Sequence, residues 1–182
     1  MGFIKTPIKG MNDFLPSDMR LREHVINMIK ETYATYGFSL IETPVMEHLE
    51  NLTGKQGGEN EKLIFPVMKR GADLQRAIEN GGELADSALR YDLTVPLSRY
   101  YANNQAALTT PFKSLQIGNV FRADRPQKGR FRQFTQCDID ILGDSSILAE
   151  IELIAATTSM LTKIFEEVGI SRFTVHVNDR RI

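Results

Sequence analysis

The sequence predicts an α+β fold, an antiparallel β-sheet flanked by helices. Two stretches, one after Pro16 and one after Ser146, carry apolar residues at three- and four-residue steps, the period of a buried helix face. Between them, two strand-like runs at 115–123 and 131–142 are separated only by a polar segment with Pro126 and Gly129, which reads as a long-looped antiparallel hairpin. The chain has 182 residues, 42% hydrophobic and 25% charged. That predicts one large domain, or one domain with a small appendage, and argues against disorder, collagen-like repeats and coiled-coil rods.

In chain order, Val25, Ile29, Thr32 and Tyr36 define the first helix, at 17–36, and Gly37 stops it. Residues 38–41 are bulky and apolar, and Pro44 limits them to a strand edge or strand end. Residues 56–60 and 80–82 read as Gly-rich loops around a strand at 63–68 and a helical turn at 73–79. After the hairpin, Ile151, Ile154, Leu161, Phe165 and Val168 predict a helix of about six turns from 147 to Gly169, with N-cap candidates at 144–146. Phe173, Val175 and Val177 alternate with polar residues, which predicts a closing strand. There is no internal repeat.

Charge and composition narrow the function. Lys+Arg total 22 and Asp+Glu 23, a net charge of -1, so attraction to a polyanion needs a local patch. Cys137 is the one cysteine and has no intrachain disulfide partner, which fits a reducing cytoplasm. His24, His48 and His176 lie far apart, no Cys/His group has zinc-site spacing, and no metal is assigned. No apolar h-region opens the chain and no run is long enough to span a membrane. The sequon at Asn51-Leu52-Thr53 is a chance match in a chain without a secretion signal.

A patch does occur. Between Phe121 and Arg132 stand Arg122, Arg125, Lys128, Arg130 and Arg132 against one acid, Asp124; from 133 to 162 there are acids and no Lys or Arg. On a strand at 131–142, period two sets Arg132, Gln136, Asp138 and Asp140 on one face and Thr135, Cys137, Ile139 and Ile141 on the other. One reading is a solvated edge hairpin; the other is a polar face that holds a ligand with one anionic and one cationic end.

The run Phe121-Arg122-Ala123-Asp124-Arg125-Pro126-Gln127-Lys128-Gly129-Arg130-Phe131-Arg132-Gln133-Phe134, continuing to Gln136 and Asp140, closely resembles motif 2 of class II aminoacyl-tRNA synthetases in its histidyl form. Residues 9–16 resemble that family's opening segment; Tyr36-Gly37-Phe38 through Pro44 and Glu47 resembles motif 1; Leu89-Arg90-Tyr91-Asp92-Leu93-Thr94 resembles its amino-acid-binding segment. The resemblance implies a class II catalytic core truncated before motif 3, with residues 1–182 its N-terminal part and the anticodon-binding domain absent. It implies a parent that activates histidine with magnesium-bound ATP and transfers it to the tRNA(His) acceptor end in the cytoplasm, the fragment itself being inactive or very weak.

By the same resemblance Arg122 is catalytic and contacts the α-phosphate and the substrate carboxylate. Arg130 contacts the ATP phosphates or the tRNA end, with Arg132 a further candidate. Asp124 binds ATP or, equally, pairs with a loop arginine. Asp92, Thr94, Gln136 and Asp140 hold the histidine. Many members carry Glu where Asp92 and Asp124 stand, a difference of one methylene. A homodimer through motif 1 is implied, with Pro44 at its interface or simply ending a strand. The rival classes are a regulatory paralogue that senses histidine beside a biosynthetic enzyme, a synthetase-like sensor domain in a kinase, and a plain nucleic-acid-binding module.

Overall fold

Helix α1 (Pro16–Thr35) forms where the apolar period places it. The computed structural model describes residues 2–54 and 62–178, so the loop expected at 56–60 lies outside the described residues. Pro16 occupies the first turn, where its missing N–H costs nothing, and Asp18 reaches back to accept the Leu15 N–H at 3.2 Å. Gly37 ends the helix at φ +80°, a left-handed conformation that favours glycine, and the Phe38 N–H then donates to the Tyr33 carbonyl at 3.2 Å.

By internal contacts the chain divides into two compact units, one of residues 1–13, 41–109 and 116–138, the other of residues 14–40, 110–115 and 139–182. The second unit is built on α1 and α5 (Ile147–Glu167), which pack together. The Lys163 ammonium donates to Thr32 Oγ1 at 3.1 Å, and His24 meets Glu167 at 2.6 Å. Lys113 pairs with Glu152 and also donates to the Tyr36 carbonyl, tying the end of α1 to α5 through one cation. Asp144 accepts the Ser146 N–H at 2.8 Å just ahead of α5; the Ser146 side chain itself makes no cap bond.

The first unit holds an antiparallel sheet in the order β2 (Met46–His48), β4 (Ala85–Leu89), β3 (Phe65–Met68). Pro66 sits on β3, an edge strand, where its missing N–H can face outward. Ala88 on the central strand is fully buried and packs with Leu52 of α2 (Leu49–Thr53), Ile64, Tyr91 and Val95. Helix α3 (Gly71–Glu79) joins β3 to β4, and α4 (Thr94–Asn104) leads through a 3-10 turn at Gln105–Ala107 to the long hairpin. A second sheet has the order β1 (Ser39–Ile41), β5 (Phe112–Phe121), β6 (Gln133–Leu142).

Three differences from the sequence reading have physical causes. Residues 171–178 carry no regular structure, so the strand expected at 173–177 is absent among the described residues; alternation yields a strand only when an edge takes up its hydrogen bonds. The strands of the long hairpin end at Phe121 and begin at Gln133, later than 131, because 122–132 closes into its own turn. Segments β2, α2, β4 and α4 had no assignment in the sequence reading, their periods being too short or interrupted by Pro96.

Glu47 on β2 is buried, its side chain only 2% exposed. Its carboxylate accepts Arg99 Nε at 2.6 Å, the His48 N–H at 3.0 Å and Asn51 Nδ2 at 3.2 Å. Burial pushes its carboxyl up, but these donors and the Arg99 charge outweigh that and hold it below the usual carboxylate range. A depressed folded pKa contributes stability in full above the unfolded value, about 4.3, and loses it as pH falls through the folded value. Glu47→Gln should therefore lower stability at pH 7 by about 1–3 kcal/mol and flatten the loss on acidification, as read by urea unfolding at pH 7 and pH 4. Equal stability of the two proteins at pH 7 would refute the role given to the pair.

Candidate functional site

The site forms where β4 runs into α4 and meets the ends of β5 and β6. Arg122 N–H donates to the Arg132 carbonyl at 2.9 Å, and Thr135 Oγ1 donates to Asn119 Oδ1 at 2.9 Å. Stepping back from 122 into β5 at 119 is matched by stepping forward from 132 into β6 at 135, so the strands run antiparallel. The loop between them is itself a small hairpin: Gln127 and Arg130 exchange main-chain bonds around Lys128-Gly129.

The chain's opening segment secures the base of that loop. Gly10, at φ +88°, accepts the Arg132 N–H at 2.7 Å, and a Cβ there would stand 2.8 Å from Pro126 Cγ and 3.0 Å from Arg132 Cγ. The Arg132 guanidinium is committed within the loop, its Nε donating to the Asp124 carbonyl at 3.1 Å. The Asp124 carboxylate faces Arg130 Nε at 3.5 Å. The structure thus shows the salt bridge that was one of the two readings of Asp124.

Arg122 is held from three sides. Its Nε donates to the Tyr91 carbonyl at 3.0 Å, its guanidinium carbon lies 5.0 Å from the centre of the Phe134 ring, and its Nη2 is 3.9 Å from Asp92 Oδ2. Asp92 in turn accepts the Thr94 N–H at 2.6 Å through Oδ1 and Gln136 Nε2 at 3.4 Å through Oδ2. The other Gln136 amide atom, Oε1, is buried without a hydrogen-bond partner. Arg122, Asp92, Thr94 and Gln136, expected at one site, are therefore together. Asp140 stands four residues beyond Gln136 on β6, on the same side of the strand by period two and within the segment counted with the other unit.

Chemically, the cluster offers a planar cation, a carboxylate and an unpaired amide oxygen within one small volume, features complementary to a small zwitterion. Sequence reasoning missed Phe134, which shares Gln136's side of β6 and could have been found by the same alternation. It also missed the carbonyl of Tyr91, which no side-chain pattern reveals. Cavities beside α3 and β4, each of about 450 Å³ and lined in part by Lys69, Glu83 and Asp86, share no residue with this cluster.

Comparison with known proteins gives a consistent result. The family model described as histidyl-tRNA synthetase matches residues 10–182. A histidine–tRNA ligase of Leifsonia xyli subsp. xyli is 52% identical over 97% of the chain, and a probable histidine–tRNA ligase of Tropheryma whipplei is 48% identical over 97%. The chain spans 41% and 40% of their lengths, about two-fifths. Among solved structures, histidyl-tRNA synthetase from Nostoc sp. PCC 7120 aligns at TM-score 0.71 and 34% identity, covering 88% of this chain and 34% of that one. A Bacillus halodurans C protein described as an ATP phosphoribosyltransferase regulatory subunit/histidyl-tRNA synthetase aligns at TM-score 0.73, covering 90% of this chain and 39% of that one; at 23% identity it speaks to the fold alone.

Asp92 has two separable tasks, one structural and one electrostatic. Asp92→Asn keeps an oxygen for the Thr94 N–H at the start of α4 but removes the charge facing Arg122; Asp92→Ala removes both. The alanine variant should lose about 1 kcal/mol of stability and the asparagine variant less than half of that, as measured by chemical denaturation. Equal losses would show that the bond to the Thr94 N–H is not what Asp92 contributes to the fold.

Proposed function

The chain belongs to the histidyl-tRNA synthetase family, and from that premise we propose that it is the N-terminal part of the catalytic domain of a histidine–tRNA ligase, binding histidine and ATP. The observation that carries the reading is the opposed pair Arg122 and Asp92, 3.9 Å apart, beside the unpartnered Gln136 Oε1. Free histidine is a zwitterion. Its carboxylate seeks a bidentate cation, its ammonium seeks acceptors, and its imidazole seeks hydrogen-bond partners. We assign Arg122 to the first of these and Asp92, Thr94, Gln136 and Asp140 jointly to the others.

In the proposed reaction a histidine carboxylate oxygen bonds to the α-phosphorus of ATP as the bond to the departing pyrophosphate breaks; a 3'-terminal hydroxyl of tRNA(His) then bonds to the acyl carbon and gives up its proton as the bond to the departing AMP breaks. Joining two anions requires charge stabilisation that strengthens as the bond forms. Arg122, held by the Tyr91 carbonyl and the Phe134 ring, is preorganised to give it. Arg130 and Asp124, paired to each other in the loop, serve the ATP phosphates and base or the tRNA end when that pair opens. The family uses ATP with magnesium in general. Magnesium would accompany ATP as a substrate-associated ion, neutralising phosphate charge.

Two further features belong to the same proposal. Motif 1 mediates a homodimer, supported by Val45 and Met46, which expose apolar side chains beside Pro44. The protein works in the cytoplasm, where tRNA is charged; among the described residues no helix is long and apolar enough to cross a membrane. The regulatory reading is the weaker one because Arg122, Lys128, Arg130 and Arg132 are all present.

In a full-length ligase carrying this sequence, Arg122→Ala should lower adenylate formation by about 10²–10³ while weakening histidine binding less, since the lost interaction is strongest in the transition state. Arg122→Lys should fail as well, because an ammonium lacks the planar fork. Pre-steady-state adenylation alongside calorimetric histidine binding reads both. Unchanged adenylation would remove Arg122 from the mechanism; histidine binding without adenylate in the unmutated protein would establish the regulator instead. The 182-residue chain should also sediment as a dimer at high concentration, and a strictly monomeric profile would count against the motif 1 surface.

A further inference from the structure

Arg90 is the most deeply buried cation among the described residues, 4% exposed, and the proposed chemistry does not use it. Its side chain spans two segments. Nε donates to the Asn119 carbonyl on β5 at 2.9 Å, while Nη1 donates to the Thr43 carbonyl at 2.7 Å and lies 3.2 Å from Thr43 Oγ1 and 3.4 Å from the Pro44 carbonyl. Its main chain bridges the same elements, N–H to the Val45 carbonyl and carbonyl to the Phe121 N–H, each at 2.9 Å.

Room for this guanidinium is provided by a missing atom. A Cβ on Gly118 would collide with Arg90 Nη2, and the backbone of Gly118 is not in the left-handed region, so the glycine is required there for space and not for conformation. An ammonium on a flexible stem could satisfy one of these carbonyls but not the fork of them.

The next two residues hold the site. Tyr91 offers the carbonyl that takes Arg122 Nε, and Asp92 offers the carboxylate that faces Arg122. Phe121, whose N–H rests on the Arg90 carbonyl, immediately precedes Arg122. We propose that Arg90 is a positioning residue: by pinning residues 90–92 to the start of motif 2, it sets the separation of Arg122 and Asp92. Its consequence for catalysis rests on the ligase reading above; the placement itself does not.

The test reads the two parts separately. In the 182-residue chain, solvent exchange of the arginine Nε–H protons is followed by NMR in Arg90→Lys, Arg90→Met and Gly118→Ala. The Arg122 Nε–H should exchange at least about tenfold faster in all three, while the Arg99 Nε–H bonded to Glu47 keeps its wild-type rate. If neither proton changes, or both accelerate alike as in general loosening, Arg90 does not position Arg122 and the proposal falls. In the full-length protein, Arg90→Lys should slow adenylation about tenfold when Arg122 is present and less than about twofold in an Arg122→Ala background. Equal effects in both backgrounds would overturn it. A wild-type protein that forms no adenylate refutes the ligase reading and leaves the exchange measurement to decide the placement.

Discussion

The first unit is organised around the main chain of residues 90–92. Its amide and carbonyl groups are shared among elements distant in sequence: Arg90 links the Val45 carbonyl to the Phe121 N–H, and Tyr91 receives the Arg122 side chain. A backbone polar group removed from water must find a partner, and here that requirement joins the segments that resemble motif 1, the family's amino-acid-binding segment and motif 2. The three motifs are separated by tens of residues, yet one tripeptide brings them to hydrogen-bonding distance. Asp92 extends the arrangement by accepting the Thr94 N–H at the start of α4 and facing Gln136 on β6.

Electrostatics follows the same local logic. A chain with net charge -1 has no global field with which to draw in polyanions, so its cations matter where they are held. Within the loop, Arg130 faces Asp124 and Arg132 is bound to the Asp124 main chain, while Lys128 stands at the tip beside Gly129. The two arginines therefore differ in availability: Arg132 is fixed by the Asp124 carbonyl and by Gly10, whereas Arg130 has one half-exposed ion pair, 60% exposed on its own side, which is worth little. Of these two, Arg130 is the one whose present contact is cheaper to give up.

How far the sequence disclosed this depends on the kind of interaction. The long helices were legible because apolar residues repeat over many turns, as at Val25 and Ile29 or Ile151 and Ile154, and because glycines stop both. Strand β4 was not: Ala85-Asp86-Ser87-Ala88-Leu89 has no β-branched residue, and it is a central strand only because Ala88 is small enough to be fully buried between two neighbours. The segment at 173–177 had the opposite fault, a good alternation with no pairing among the described residues. At the site, Arg122, Asp92 and Gln136 were named through resemblance. The functions of Arg90 and Gly118 were invisible, since a buried arginine serving carbonyls leaves no periodic trace and the collision avoided at Gly118 exists only in three dimensions.

The spacing of Arg122 and Asp92 also bears on how a zwitterion could enter. At 3.9 Å, with both side chains partly exposed, the pair is a loose one of small net worth, so separating it costs little. Neither group is idle while it waits: Arg122 rests on Tyr91 and Phe134, and Asp92 holds the Thr94 N–H. A tight bidentate pair would have presented an incoming carboxylate and ammonium with an interaction to break before any could form. Two separately anchored charges keep their orientation and leave their outward valences available, which is the form of preorganisation that favours binding and charge stabilisation together.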